Sequence, residues 1–166
     1  MILKVAPLTL EEINYLKPNQ IIISPIHLPT LSADFIAQLR QKRVIALAWE
    51  YIKDESDAFP IVRTLSEMAG LTSILTAAEL LTNSNGGRGL LLGGISGVPP
   101  AKVVILGAGI VAEHATKAAI GLGAEVRVFD NNIYKLKRLQ ENVGRQIYTS
   151  AINPTFLERE LYTADV

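Results

Sequence analysis

The sequence has 166 residues, with 16 Lys plus Arg against 16 Asp plus Glu, two His and no Cys. It is 49% hydrophobic and 19% charged, a composition that packs into one domain or two incomplete ones rather than staying disordered. The missing cysteines exclude disulfides, thiolate metal sites and thiol nucleophiles, and charge balanced in both halves leaves no basic footprint for nucleic acid.

The opening residues break their apolar run at Lys4 and carry no basic leader region. No secretory signal or membrane span is therefore expected, and a cytoplasmic setting is. Residues 2–7 read as a short strand and residues 10–16 as a helix. Ile21 to Leu28 is an apolar, β-branched run stopped by Pro25 and Pro29. Ser32 is placed to cap a helix carrying Phe35, Ile36 and Leu39 at helical spacing. Arg43 to Trp49 is a second apolar run, which completes a strand–helix–strand unit of the kind found in a parallel sheet covered on both faces. After a polar loop over residues 53–60, helix-forming residues run from Thr64 to Leu81 around a single interior glycine, Gly70. That stretch is longer than a crossover needs, and it reads as a connecting helix over 64–82 between a first lobe (1–63) and a second (83–166).

The last third opens on a buried-type strand, Val103 to Leu106, followed by Gly107-Ala108-Gly109 and a helix over 110–122 ended by Gly123. A strand over 125–129, a helix over 133–142 and a short strand over 146–150 follow. Val166 falls where a further strand is expected. A doubly wound dinucleotide domain has about six parallel strands, and three are visible, so the fold class is α/β: a partial, Rossmann-type parallel sheet joined by a long helix to part of a second α/β lobe.

A pyrophosphate needs main-chain N–H donors at close range and the positive end of a helix. Gly107 permits the tight strand-to-helix turn, Gly109 removes a Cβ that would hold phosphates away, and the small Ala112 lets the helix lie close to the strand. Asp130, at the tip of the next strand, is placed to accept from an adenosine ribose 2′-hydroxyl and to reject a 2′-phosphate. The cofactor expected is NAD, and no metal is called for. Lys135, one turn into the following helix, is a candidate contact for the adenosine edge. The alternative is a turn that uses glycine only for its geometry.

The string GGRGLLLGGISGVPPAKVVILGAG (residues 86–109), with LSEMAG (65–70) and SPIHL (24–28), resembles the alanine dehydrogenase and proton-translocating transhydrogenase family. The resemblance implies a substrate lobe split in sequence around an NAD lobe, of which this chain carries a part. It implies NAD-dependent, reversible oxidative deamination of L-alanine to pyruvate and ammonia by a homo-oligomer. His27 matches the family's acid/base histidine, and imidazole trades protons near neutral pH. Lys4 lies near the family's substrate lysine, although K-V-A-P stands here where the dehydrogenases carry K-x-K-E-P. Ser66 matches a cofactor-contacting serine, and its other reading is the N-cap of the long helix. Ile110 and Val111 match residues lining the cofactor at the helix start. Glu50 follows the family's A-[YW]-E pattern and reads as structural, Arg88 as a loop-pinning ion pair, and His114 as an ordinary surface histidine. A second catalytic group, an aspartate, is expected beyond Val166 and a substrate-binding arginine before Met1. The competing expectations are the NAD-binding component of a transhydrogenase and a non-catalytic NAD-binding relative.

Overall fold

The computed structural model describes residues Met1–Val166. The chain divides into two compact units, Met1–Arg63 and Thr64–Val166.

The first unit is a three-stranded parallel sheet in the order β1 (Ile2–Leu3), β2 (Ile21–Ser24), β3 (Ile45–Ala48). Helices α1 (Leu10–Tyr15) and α2 (Ala33–Gln41) cover it, burying Ile13, Leu16, Phe35 and Leu39 against Ile22. Ser32 caps α2 as its position suggests, its hydroxyl accepting from the Phe35 N–H at 3.2 Å. Thr9 and Glu12 form a capping box at α1, which satisfies two otherwise orphaned donors. Two expectations are corrected. The first strand is two residues long, not six. The sheet is also not covered on both faces, because both helices of this unit lie in one core. Register sets Ile21 beside Ile45 and Leu3 beside Ile23 and Leu47 on the other face, where Leu3 is 74%, Ile45 52% and Leu47 46% exposed.

The second unit begins with most of α3 (Pro60–Leu80). Proline is favoured at the first helical position, so the helix starts four residues before the point expected at Thr64. Ser66 therefore lies inside the helix and cannot be its N-cap. A second three-stranded parallel sheet follows, in the order β4 (Lys102–Leu106), β5 (Glu125–Phe129), β6 (Tyr148–Ser150). Helix α4 (Ile110–Gly121) links β4 to β5, and α5 (Ile133–Val143) links β5 to β6. The core packs Val103, Val126 and Val128 against Ala112, Ala115 and Ala119 of α4 and Leu136 and Leu139 of α5. Alanine on the inner face of α4 lets the helix lie close to the sheet. Gly70 does the same between helices: a Cβ there would stand 2.4 Å from the Val111 carbonyl oxygen and 2.9 Å from the Ala115 nitrogen.

The chain then forms a further helix, α6 (Pro154–Tyr162), beyond the elements expected from the sequence. Asn153 caps it, accepting from the Phe156 N–H at 3.1 Å. Phe156 packs on Phe129 and Tyr148, with ring centroids 6.0 and 6.1 Å away. Glu160, 3% exposed, receives Lys102 Nζ of β4 at 2.5 Å and an Arg127 nitrogen of β5. Beyond α6 the chain returns to the free side of β4. The Val104 N–H donates to the Val166 carbonyl at 2.9 Å, and the Val166 N–H to the Lys102 carbonyl at 3.2 Å. These bonds lie on the edge of β4 that does not face β5, and in open α/β sheets ligands bind beyond the carboxyl ends of such strands.

Candidate functional site

In the second unit, the site grows from the carboxyl end of β4. Parallel pairing runs from Lys102 beside Glu125 to Leu106 beside Phe129, and the Gly107 N–H continues it to the Phe129 carbonyl at 2.6 Å. Gly107 then turns the chain with φ +103, a conformation that disfavours any side chain. Gly109 has ordinary backbone angles (φ −81, ψ −169), so its missing Cβ serves clearance rather than geometry. A Cβ built on either glycine meets nothing within 4 Å: the space over the turn is open. As N-cap, Gly109 brings no side chain to the first-turn amides of α4, leaving the donors that a helix start offers to an anion.

Ala108, fully buried, is gripped from both sides. Its N–H donates to Asp130 Oδ2 at 2.7 Å, and its carbonyl accepts from an Arg138 guanidinium nitrogen at 3.1 Å. The Ala108 amide is thus occupied, and the free donors are those further along the turn. Asp130 Oδ1 accepts from the Asn132 N–H at 2.7 Å. The Asn132 and Ala108 amides, with Lys135 nearby, hold the Asp130 carboxyl below its ordinary range against the opposing effect of burial. Asn132 in turn caps α5 by accepting from the Tyr134 and Lys135 amides. Residues 130–135 border an open cleft of about 560 Å³. A second cleft, of about 490 Å³, lies along the other side of the turn, lined by Ser66 and Ser73 of α3 with Leu106, Gly109, Ile110 and Val111. Seven of the sequence candidates, Ser66, Gly107, Gly109, Ile110, Val111, Asp130 and Lys135, therefore border one of these two clefts, and Ala108 braces the turn between them.

Other second-unit candidates are placed as follows. Arg88 pairs with Asp165 at 3.0 Å, as its loop position suggested. His114 is not an ordinary surface residue: its side chain is 24% exposed, it stands 3.9 Å from Glu67 of α3, and its Cβ lies beside Gly70. Arg138 was missed, because its partner lies 30 residues away.

In the first unit, β2 stops at Ser24, ahead of Pro25, and His27 sits three residues further on with φ +50. The imidazole is on an exposed residue, while the main chain is tied down: the His27 N–H donates to Glu50 Oε1 at 2.7 Å, and its carbonyl accepts from the Thr30 N–H at 2.9 Å. Lys4 is half-buried, its side chain 27% exposed, and its ammonium is paired. Its ammonium donates to both Glu12 oxygens, at 2.7 and 2.5 Å, and to the Pro7 carbonyl at 3.0 Å. Those contacts, Lys4 first and the Thr9 amide next, hold the Glu12 carboxyl below its ordinary value.

A strand, a glycine turn open above its helix start, and an acid bonded across that turn define a nucleotide-binding unit of the Rossmann type. Residues 73–166 match the description "Alanine dehydrogenase/PNT, C-terminal domain" and residues 1–71 "Alanine dehydrogenase/PNT, N-terminal domain"; the chain belongs to this family. It is 34% identical to alanine dehydrogenase 2 of Staphylococcus aureus (strain USA300) over all 166 residues, which is 44% of that protein. The figures are the same for the alanine dehydrogenase of Methanococcus maripaludis. Among solved structures, an L-alanine dehydrogenase superposes with a TM-score of 0.85 at 32% identity, covering 98% of this chain and 44% of that one. The transhydrogenase of Sinorhizobium meliloti gives 0.76 at 19% identity over 98% of this chain and 47% of its own, a likeness of fold. The chain spans less than half the length of the relatives it matches.

Proposed function

We propose that this chain supplies the first half of an NAD site, and a proton-transfer histidine, to an enzyme that reversibly deaminates L-alanine: alanine, NAD⁺ and water give pyruvate, ammonium, NADH and a proton. The observation that carries the reading is the open glycine turn with Asp130 bonded across it. The open space above Gly107 and Gly109, and the uncapped start of α4, fit a pyrophosphate. Bound there, NAD would accept the substrate hydride, and the protein's share is placement and proton transfer. The amides of Gly109, Ile110 and Val111 hold the diphosphate. The unused lone pairs of Asp130 accept from the ribose hydroxyls, and its charge disfavours a 2′-phosphate. Lys135 flanks the adenosine and Ser66 the opposite side of the turn. An imidazole nitrogen of His27 takes a proton from water adding to the substrate imine and returns one to the departing ammonia. Lys4 orients the keto-acid carboxylate by exchanging its Glu12 contact for it. The same reading takes the enzyme as a cytoplasmic homo-oligomer acting on a small molecule, without membrane or nucleic acid.

The test is alanine-dependent NADH formation, followed at 340 nm, in the complete protein carrying this sequence, with His27→Gln beside it. Turnover lost in the variant while NAD still binds is the expected result. Normal NAD binding with no turnover on any amino acid would overturn the dehydrogenase reading in favour of a non-catalytic relative.

A further inference from the structure

His27 adopts a left-handed backbone conformation on an exposed loop, which an L-residue holds only when its surroundings fix it. The fixing group is Glu50, in the 3-10 turn Trp49–Tyr51 that follows β3. Its Oε1 accepts from two consecutive main-chain amides, Ile26 at 2.8 Å and His27 at 2.7 Å. The His27 carbonyl is bound as well, by the Thr30 N–H and the Thr30 hydroxyl, both at 2.9 Å. The peptide groups on either side of the His27 Cα are therefore held, and the direction in which its imidazole leaves the backbone is set. Glu50 Oε2 is buried without a hydrogen-bond partner, and both amides fall on Oε1. Burial alone would push its carboxyl up, but the amides of His27, Glu50 itself and Ile26 outweigh burial and hold it below the ordinary value.

We propose that Glu50 is the positioning residue for His27: it fixes the site of the proton-carrying imidazole through the main chain, without itself touching substrate. The inference rests on the reading of His27 given above and assigns to Glu50 a role beyond closing two loops. The demand is for one oxygen aimed at two adjacent N–H groups from across the sheet edge. A glutamine can supply that oxygen, whereas an alanine cannot.

The test uses the 166-residue chain, labelled with ¹⁵N and ¹³C, followed by NMR. In the wild type the Ile26 and His27 amide signals should move together as the Glu50 carboxyl is protonated. In Glu50→Gln both amides should stay protected and their common pH dependence should vanish. In Glu50→Ala the His27 amide should exchange about tenfold faster or more, and its ¹³Cα shift should leave the positive-φ range, while the amides paired between β2 and β3 keep theirs. A role confined to general stability would change none of these His27 signals selectively. Retention of the positive-φ shift and protection in Glu50→Ala would overturn the proposal, as would an unchanged pH dependence in Glu50→Gln. Should Glu50→Ala fail to fold, the wild-type and Glu50→Gln titrations decide alone. None of these readouts requires cofactor or turnover, so their failure is separate from a failure of the alanine dehydrogenase reading.

Discussion

Asp130 Oδ2 and the Ala108 N–H, 2.7 Å apart, tie the tip of β5 to the turn that follows β4. One carboxylate therefore shapes the cradle and faces the cleft beside it. Asp130→Ala removes an acceptor bonded to two main-chain amides as well as the group assigned to the ribose. A hydrogen bond to a charged group contributes about 1.5–3 kcal/mol, so NAD or ADP-ribose affinity should fall by roughly ten- to a hundredfold. Calorimetric titration measures it. Arg138→Leu, which releases the Ala108 carbonyl alone, should weaken binding by less.

Acid should unfold the protein through its paired carboxylates. Glu12, Glu50 and Asp130 all have folded values below their ordinary ones, 4.5 for Glu and 3.8 for Asp. The stability each contributes is complete above its ordinary value and is lost as pH falls through the lower, folded one. Urea midpoints should therefore be flat from neutral pH to about 5 and drop below 4. A midpoint that rises on acidification would contradict the hydrogen bonds described here.

Gly70 sits where α3 crosses α4 with no room for a methyl group. Alanine is the better helix former by about 1 kcal/mol, yet its Cβ would meet the Val111 carbonyl at 2.4 Å. Overpacking against an unyielding neighbour costs about 1–3 kcal/mol. With main chain as the obstacle the upper end applies, and Gly70→Ala should lower the melting temperature by several degrees. An unchanged or higher value in thermal unfolding would mean that the helices can separate freely.

The open face of the first sheet should drive self-association. Leu3, Ile45 and Leu47 are exposed together beside an unpaired edge, and such edges recruit other chains. Light scattering should show mass rising with concentration for the wild type and less so for Leu47→Lys. The unfolding free energy of that variant should stay within about 0.5 kcal/mol, as for an ordinary surface change. A monomer at every concentration would refute the expectation.

What could be read from the residues alone was what depends on nearby spacing. The turn at Gly107–Gly109 and the Ser32 cap follow from local main-chain demands, while Asp130, 22 residues from its Ala108 partner, is legible only through the spacing of the nucleotide-binding fingerprint. Arg88 was assigned an ion pair, though its partner, Asp165, lies 77 residues away. Contacts hidden by distance along the chain were Arg138 with the Ala108 carbonyl and Glu50 with the His27 amide. In the sequence Pro60 reads as the end of a polar loop, but it is the first residue of α3, and Ser66 is therefore interior to the helix rather than its cap. Helix α6 did carry a signal, Asn153 followed by Pro154, which is the pairing of an N-cap with the proline favoured after it. The uncovered face of β3 had none, since a buried and an exposed apolar strand are written with the same residues.

Gly93 and Gly123 meet main chain to main chain. A Cβ on the first would lie 2.3 Å from the Leu122 carbonyl oxygen, and one on the second 3.0 Å from the Gly93 Cα. The segment bearing the exposed Ile95 is thereby seated on the residues that end α4, a helix of 12 residues that begins at the open turn after β4. A side chain at Gly93 would therefore force the loop that carries Ile95 off the residues that end α4.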